Sequence, residues 1–358
     1  MEAYVLHGAN DLRFEEVAKP VPGEGEVLLH VAAVGICGSD IPRIYQTGAH
    51  KHPLIPGHEF SGVVEEVGPG VDTGLVGKRC GIFPLIPCHE CGPCKKHLYE
   101  MCRNYNYLGS RCDGGFAEYV SVPAANLLPL PDSVSLEEAA MLEPMAVSVH
   151  AIRRVIDISE PEALADTTVT VIGVGTIGLL LTVFLLDAGI RPENLLLVGN
   201  KDFQRKMALK AGVLPENFCD SRSLDADKWL TDKTDGIGTD VTFDCVGRNE
   251  TMRQAVDHAA PAGRVMLLGN PYSDMSLPRD IYWKILRNQL RVTGTWNSTF
   301  TGDENDDWRY VLSRLSAGKV HPAEYITQQY ELKNLMHGFE LMRDKSEDYV
   351  KVMGVNRF

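Results

Sequence analysis

The sequence predicts an α/β protein of two domains: a β-rich metal-binding domain formed by residues 1–150 and 291–358, and a doubly wound, parallel-sheet domain inserted between them at 151–290. Three observations carry this. Cys88, Cys91, Cys94 and Cys102 follow one another in C-x2-C-x2-C spacing with a fourth thiol after a short turn, the spacing of a closed tetrahedral metal site. Gly173-Val-Gly175-Thr176-Ile177-Gly178 follows a β-branched run and opens an apolar helix. A short strand signal at 350–355 returns the chain to the first domain.

Length and composition bound the rest. The 358 residues suffice for two cores, and 44% hydrophobic with 23% charged residues is ordinary for a globular chain. A formal charge of −13 offers no basic stripe, which disfavours nucleic acid or an anionic membrane as partner and favours a small substrate. The N-terminus has no signal-peptide pattern, and the most apolar run, 169–186, is cut by glycines, so a cytoplasmic protein without a membrane span is expected. The nine cysteines are then thiols; Cys80, Cys112, Cys219 and Cys245, outside the metal sets, are expected to pack as small hydrophobes.

In the first domain, short apolar runs at 3–6, 27–34, 62–67, 77–83 and 116–122, separated by Pro and Gly, read as strands of an antiparallel barrel or sandwich. Glycines on both sides of Cys37 let the backbone turn and present the thiol beside Ser39 and Asp40. His58 and Glu59 follow a Pro-Gly turn, and Glu143 stands in an apolar helical stretch where a buried carboxylate needs a partner or a metal. The Pro144 after it suggests a local break. One thiolate, one imidazole and two carboxylates suit a zinc with an open ligand position. The four-cysteine lobe, with few apolar residues, suits a structural zinc, giving two zinc ions per chain.

In the inserted domain, the first glycine makes the turn, the second admits a pyrophosphate, the third packs helix on strand, and β-α alternation follows. About twenty residues on, where an acidic residue would bind the ribose of NAD, the chain has Gly199-Asn200-Lys201 with Arg205 one turn further. Room and positive charge there point to NADP over NAD. Lys201 and Arg205 as a solvated helix face, and Asp202 swinging in to serve NAD, are the competing readings.

Taken together, Gly35-Ile-Cys-Gly-Ser-Asp40, Gly57-His-Glu59, the cysteine lobe, Glu143 and the nucleotide glycines resemble the zinc-containing medium-chain dehydrogenases over essentially the whole chain. Glu143, where simple alcohol dehydrogenases carry a cysteine, is similar to the polyol dehydrogenase branch. The resemblance implies a GroES-like catalytic domain and a Rossmann domain. It implies Cys37, His58 and Glu143 as catalytic-zinc ligands, with Glu59 a fourth ligand or a partner of zinc-bound water, and Ser39 in a proton relay. It also implies Val246, Leu268, Thr295, Trp296 and Asn297 beside the cofactor, a homodimer or homotetramer, and oxidation of a polyol or polyol phosphate to a ketose. Gly199 departs from the polyol pattern. Arg43, Arg111, Lys284 and Arg287 are the cations available for a substrate phosphate, each with a plain reading as surface charge.

Overall fold

The computed structural model describes residues 1–159 and 161–356; Glu160, inside the acidic segment expected to be an exposed crossing at 159–165, lies outside the described residues. Two compact units result, Met1–Pro144 with Thr299–Phe358, and Met145–Ser298.

The first unit is organised on β3 (Glu26–Ile36), entered through the hairpin β1 (Glu2–Gly8) and β2 (Asp11–Glu16). The eleven residues of β3 are nearly all apolar and buried, as a strand covered on both faces must be. It pairs antiparallel with β4 (Glu59–Val67), and β5 (Arg79–Ile82) continues the sheet. The two-residue strands β6 (Leu85–Ile86) and β7 (Asn106–Tyr107) pair to close the base of the cysteine lobe. Strand β8 (Tyr119–Pro123) returns to β3, and β9 (Leu127–Pro129) to β5. Strand β2 and the lobe strands carry too little apolar periodicity to stand out in the sequence. Tyr4, Leu29, Val31, Phe60, Phe116 and Phe339 lie in one core. The local break expected at Pro144 falls just before it, at Met141. The helical stretch stops at Met141, after Leu136–Ala140, and restarts as Leu142–Arg153, whose first turn tolerates Pro144 because its N–H would be unpaired there.

The second unit holds six strands: β10 (Val169–Ile172), β11 (Leu195–Gly199), β12 (Phe218–Asp220), β13 (Thr239–Asp244), β14 (Ala259–Leu267) and β15 (Arg291–Gly294). All pair in parallel, in the order β12-β11-β10-β13-β14-β15. The winding reverses between β10 and β13, and β15 extends the sheet past residue 290. The unit is therefore longer than 151–290 at both ends. The chain then returns through β16 (Ile326–Glu331) and β17 (Lys351–Val355), which pairs with β3.

Cys80 and Cys219 are buried and Cys112 and Cys245 half-buried, all as thiols. Burial pushes Cys80 up to about 12 and Cys112 and Cys219 up to about 11, so these are packing residues. At the entrance to the lobe, Asn126 is buried and its amide donates to the carbonyls of Phe83 at 2.6 Å and Leu85 at 2.8 Å. Asn126→Ala strands both acceptors and is expected to cost about 2 kcal/mol or more, read as a lowered midpoint of thermal unfolding with the second unit's secondary structure intact.

Candidate metal and nucleotide sites

Clustered sulfur is the plainest feature of the lobe. Its thiols lie at Sγ–Sγ separations of 3.4 Å (Cys88–Cys102), 3.5 Å (Cys91–Cys94), 3.9 Å (Cys91–Cys102) and 4.0 Å (Cys88–Cys94). Four thiolates on one ion at the usual zinc–sulfur distance would stand about 3.8 Å apart. The residues fit a zinc, and no disulfide competes. The backbone N–H of Arg103, then that of Cys94, pulls the Cys91 thiol down to about 6, as a ligand held as thiolate needs.

The second cluster sits where β3 and β4 end and begin. One ligand atom each from Cys37, His58 and Glu59 lies within 4.8 Å of the others. His58 is buried, and its Nδ1 makes no hydrogen bond, standing 3.5 Å from Asp40 Oδ1. Burial opposes charge on His58, but Asp40 and then Cys37 outweigh it and hold the imidazole well above its usual range. Asp40, fully buried, accepts from the Cys37 N–H at 3.0 Å and from Arg43 at 2.5 Å. It therefore fixes the thiol's turn and sets a negative charge against the imidazole. The Ser39 hydroxyl donates to Cys37 Sγ at 3.3 Å. A buried imidazole with an orphan nitrogen, a thiol and a carboxylate converging is a donor set that fits zinc.

Glu143 stands beside this trio and outside its 4.8 Å grouping. It is buried, and its Oε1 accepts from the Tyr107 hydroxyl at 3.2 Å. Burial pushes its carboxyl up to about 7, against the pull of His58. Two partners of the cluster had not been read from the sequence. Tyr107 carried no signal; Lys351, whose Nζ donates to Glu59 Oε2 at 2.5 Å, was visible as a lone charge within the apolar run 350–355.

In the second unit the expected nucleotide residues line the carboxyl edge of the parallel sheet. Gly173, at φ +95°, directly follows β10; a Cβ there would meet Val246 at 2.4 Å, across the switch between β10 and β13. A Cβ on Gly178 would meet the Gly173 carbonyl at 1.9 Å, whereas one on Gly175 would meet nothing within 4 Å. Helix Thr176–Asp187, which contains Ile177 and Gly178, starts at Gly175 with no side-chain cap. Open backbone at the second glycine and uncapped N–H groups form a cradle that fits a pyrophosphate. The Leu268 N–H donates to the Asp244 carbonyl at 2.9 Å, beside Val246. Thr295 Oγ1 is buried without a hydrogen-bond partner at the end of β15, followed by exposed Trp296 and by Asn297 at φ +57°.

At the end of β11 a Cβ on Gly199 would meet the Phe218 ring at 2.6 Å, so no acidic side chain fits there without rearrangement. The Asn200 N–H donates to Gln204 at 3.0 Å; Lys201 precedes helix Asp202–Lys210 and Arg205 is exposed one turn on. Asp202 is gripped by Arg222 at 2.5 Å, and Arg222 also binds Asp220 at 2.6 Å. Arg222, far along the chain, was not foreseen.

Of the four cations considered for a substrate phosphate, Arg43 is bound to Asp40, Lys284 to Asp257, and Arg287 lies over Trp283. Arg111 has no carboxylate partner among the described residues. Its guanidinium lies 4.3 Å from the Tyr105 ring centroid, Tyr105 packs on Tyr107 at 6.2 Å, and Tyr107 packs on His58 at 5.9 Å.

Comparison with known proteins agrees with this geometry. Residues 23–132 match the family described as alcohol dehydrogenase GroES-like domain, and 176–317 match zinc-binding dehydrogenase. Galactitol 1-phosphate 5-dehydrogenase of Escherichia coli is 31% identical over 306 residues, 86% of each chain. The crystal structure of galactitol-1-phosphate dehydrogenase from Escherichia coli superposes with a TM-score of 0.89 at 28% identity, covering 99% of this chain and 100% of that one. L-threonine 3-dehydrogenase of Pyrococcus abyssi is 34% identical over 92% of this chain and 91% of its own. A zinc-binding dehydrogenase from Sinorhizobium meliloti bound to NADP (TM-score 0.87, 26% identity) and the rspB protein of E. coli CFT073 with NADH (0.88, 26%) each cover 99% of both chains.

The raised carboxyl of Glu143 has a pH signature. With its folded value about 7 against an ordinary value of 4.5, the metal-free protein binds a proton that the unfolded chain releases. That contribution is full below about 4.5 and is lost as pH rises through about 7. Once metal is stripped from the Cys37 site, Glu143→Gln should gain thermal stability relative to the parent as pH rises through this window, measured by paired melting curves.

Proposed function

The chain belongs to the zinc-binding dehydrogenases that carry an alcohol dehydrogenase GroES-like domain, a family of zinc-dependent oxidoreductases, and on that footing we propose that it interconverts a polyol or polyol phosphate and the matching ketose at a secondary hydroxyl. The observation that carries the reading is one thiolate with two buried carboxylates, Glu59 and Glu143, around a single imidazole. A carboxylate at 143 brings hard oxygen donors to a site that binds hydroxylated substrates. The 31% relative acting on galactitol 1-phosphate supports the same substrate class.

Cys37, His58 and Glu143 would hold the catalytic zinc, and Cys88, Cys91, Cys94 and Cys102 the structural one. When bound, the catalytic zinc supplies Lewis acidity that favours the alkoxide, and the nicotinamide accepts the hydride. The protein's own part is orientation and proton movement. Asp40 holds the turn that presents Cys37 and sets its charge beside the His58 ring. Ser39, now donating to Cys37 Sγ, would turn its oxygen to the substrate hydroxyl and accept that proton while releasing its own hydroxyl proton to water, as the carbon-bound hydrogen leaves with its electron pair, giving the ketone. Glycines 173, 175 and 178 and the first turn of helix Thr176–Asp187 bind the pyrophosphate.

For the cofactor, NADP is favoured over NAD. Gly199 is hemmed in by Phe218, Asp202 is engaged by Arg222, and Lys201 and Arg205 bring positive charge to the ribose end. A homo-oligomer is supported by the apolar surface at Tyr282, Trp283, Leu286 and Val292 beside β15, which ends the described sheet. The 34% identity to an L-threonine 3-dehydrogenase supports a second reading, an amino-alcohol substrate.

The deciding experiment is initial rates with NAD and NADP against hexitols, pentitols, their phosphates, the ketoses, L-threonine and simple secondary alcohols. The polyol reading expects sugar alcohols or their phosphates to turn over fastest; faster turnover of L-threonine or 2-butanol overturns it. Lys201→Ala should weaken NADP by about 1.5–3 kcal/mol, roughly tenfold to a hundredfold in KM, and leave NAD unchanged. Arg111→Ala should raise KM for a polyol phosphate by a similar factor and leave the unphosphorylated polyol unaffected; equal loss on both would retire Arg111 as the phosphate contact.

A further inference from the structure

At the end of β11 two acids share one arginine. Strand β12 pairs with β11 so that Asp220 stands opposite Gly199, and Ser221 secures that register: its N–H and its hydroxyl both donate to the Gly199 carbonyl, at 2.9 and 3.1 Å. The turn that follows is tied down by Asp220. Its Oδ1 accepts from the Arg222 N–H at 3.0 Å, and its carbonyl accepts from the N–H groups of Ser223 and Leu224. Arg222 is thus presented from a fixed turn. Its guanidinium holds Asp220 through Nε at 2.9 Å and Nη2 at 2.6 Å, and reaches across to Asp202 through Nη2 at 2.5 Å.

The two acids differ in what else could hold them. Arg222 pulls the Asp220 carboxyl down to about 2, so this acid stays charged at any working pH. Asp202 opens the helix after β11, its side chain is 91% exposed, and Arg222 is its one ion-pair partner among the described residues. It stands three residues past the position from which an acid binds the ribose of NAD. The stretches 199–205 and 220–222 carry three cations, Lys201, Arg205 and Arg222, against two carboxylates, Asp202 and Asp220. The corner is therefore positive by one charge, and Arg222 supplies it. Without that guanidinium the charges balance and Asp202 loses its partner. A 2′-phosphate, dianionic or nearly so at neutral pH, would then meet no net attraction, while a 2′-hydroxyl would gain an unoccupied acceptor.

We propose that Arg222 is a specificity-determining residue: by occupying Asp202 it withholds the acid that would serve NAD, and it leaves the corner positive for NADP. The inference rests on the NADP reading above and deepens it, from the cations that attract the phosphate to the arginine that silences their competitor.

The test is binding of NADPH and NADH to the zinc-loaded protein, followed by cofactor fluorescence with no alcohol present, so that the outcome is independent of the substrate. The parent should bind NADPH more tightly. Arg222→Ala should weaken NADPH about tenfold and tighten NADH severalfold. Exposed ion pairs contribute little to stability, so this variant should melt as the parent does. Arg222→Lys keeps the charge and should keep the preference for NADPH. Arg222→Ala/Asp202→Asn returns the corner to its parent charge; NADPH binding should recover to within about threefold of the parent and the gain in NADH should vanish. NADPH binding that stays weak in the double variant makes Arg222 a direct phosphate contact and overturns the proposal, as does a cofactor preference that Arg222→Ala leaves unmoved. A parent that binds NADH more tightly than NADPH overturns the NADP reading itself, and the role of Arg222 with it.

Discussion

Charge without water is the constraint on which the first unit depends. Asp40, His58, Glu59, Glu143 and Lys351 are all buried within a sheet otherwise made of Val, Leu, Ile and Phe. Each such group costs several kcal/mol to desolvate unless another answers it. The answers come from three separate stretches. Arg43 meets Asp40 three residues away, Tyr107 reaches Glu143 from the base of the cysteine lobe, and Lys351 reaches Glu59 from the end of the chain. Strand β3 is where they meet, since β4, β8 and β17 all pair with it. The return of the chain after the inserted unit therefore does more than complete a sheet. It delivers the cation without which two carboxylates and a thiolate would repel one another.

What was legible in the sequence follows from how locally each feature is encoded. The cysteine lobe closes within fifteen residues, and its spacing alone fixes four donors around one point. The nucleotide turn is similarly local: Gly173, Gly175 and Gly178 act within one strand-turn-helix, and all three meet the steric demands expected of them. The Cys37, His58 and Glu59 grouping could be anticipated because the turns that present them have glycines at fixed places. Partners fixed by tertiary contact were not legible. Tyr107 is an ordinary tyrosine until β7 pairs with β6, and Arg222 an ordinary surface arginine until β12 lies beside β11. Boundaries misled for the same reason: Arg291–Gly294 reads as a strand but does not announce which sheet takes it, and backbone pairing gives it to β14.

The nucleotide end shows how a missing side chain can carry information. Gly199 looked like an absence, the lack of a ribose-binding acid. Phe218 occupies the space that the acid would need, and Gln204 lies 3.1 Å from where its Cβ would be. A single substitution at 199 thus meets a ring from the neighbouring strand. Asp202, three residues on, is bound by Arg222, itself shared with Asp220, which pairs with Gly199 across the sheet. Exposed ion pairs of this kind contribute little to stability. Their effect here is on charge distribution, since one guanidinium is shared between both acids and offsets one of their two negative charges beside Lys201 and Arg205.

A carboxylate at position 143 changes the electrostatics of the whole centre. On the proposed ligand set, a divalent ion held by one thiolate, one neutral imidazole and one carboxylate would be neutral, and a second bound carboxylate would make the centre anionic and oppose alkoxide formation. Glu59 is nonetheless present and buried 1% exposed beside that position. The conflict resolves if Glu59 is held by a fixed cation, for then its negative charge is cancelled where it stands. Gly35, Glu59 and Lys351 then form one unit: the glycine makes room, one carboxylate oxygen lies near the Cys37 and His58 ligand atoms, and the lysine holds the other.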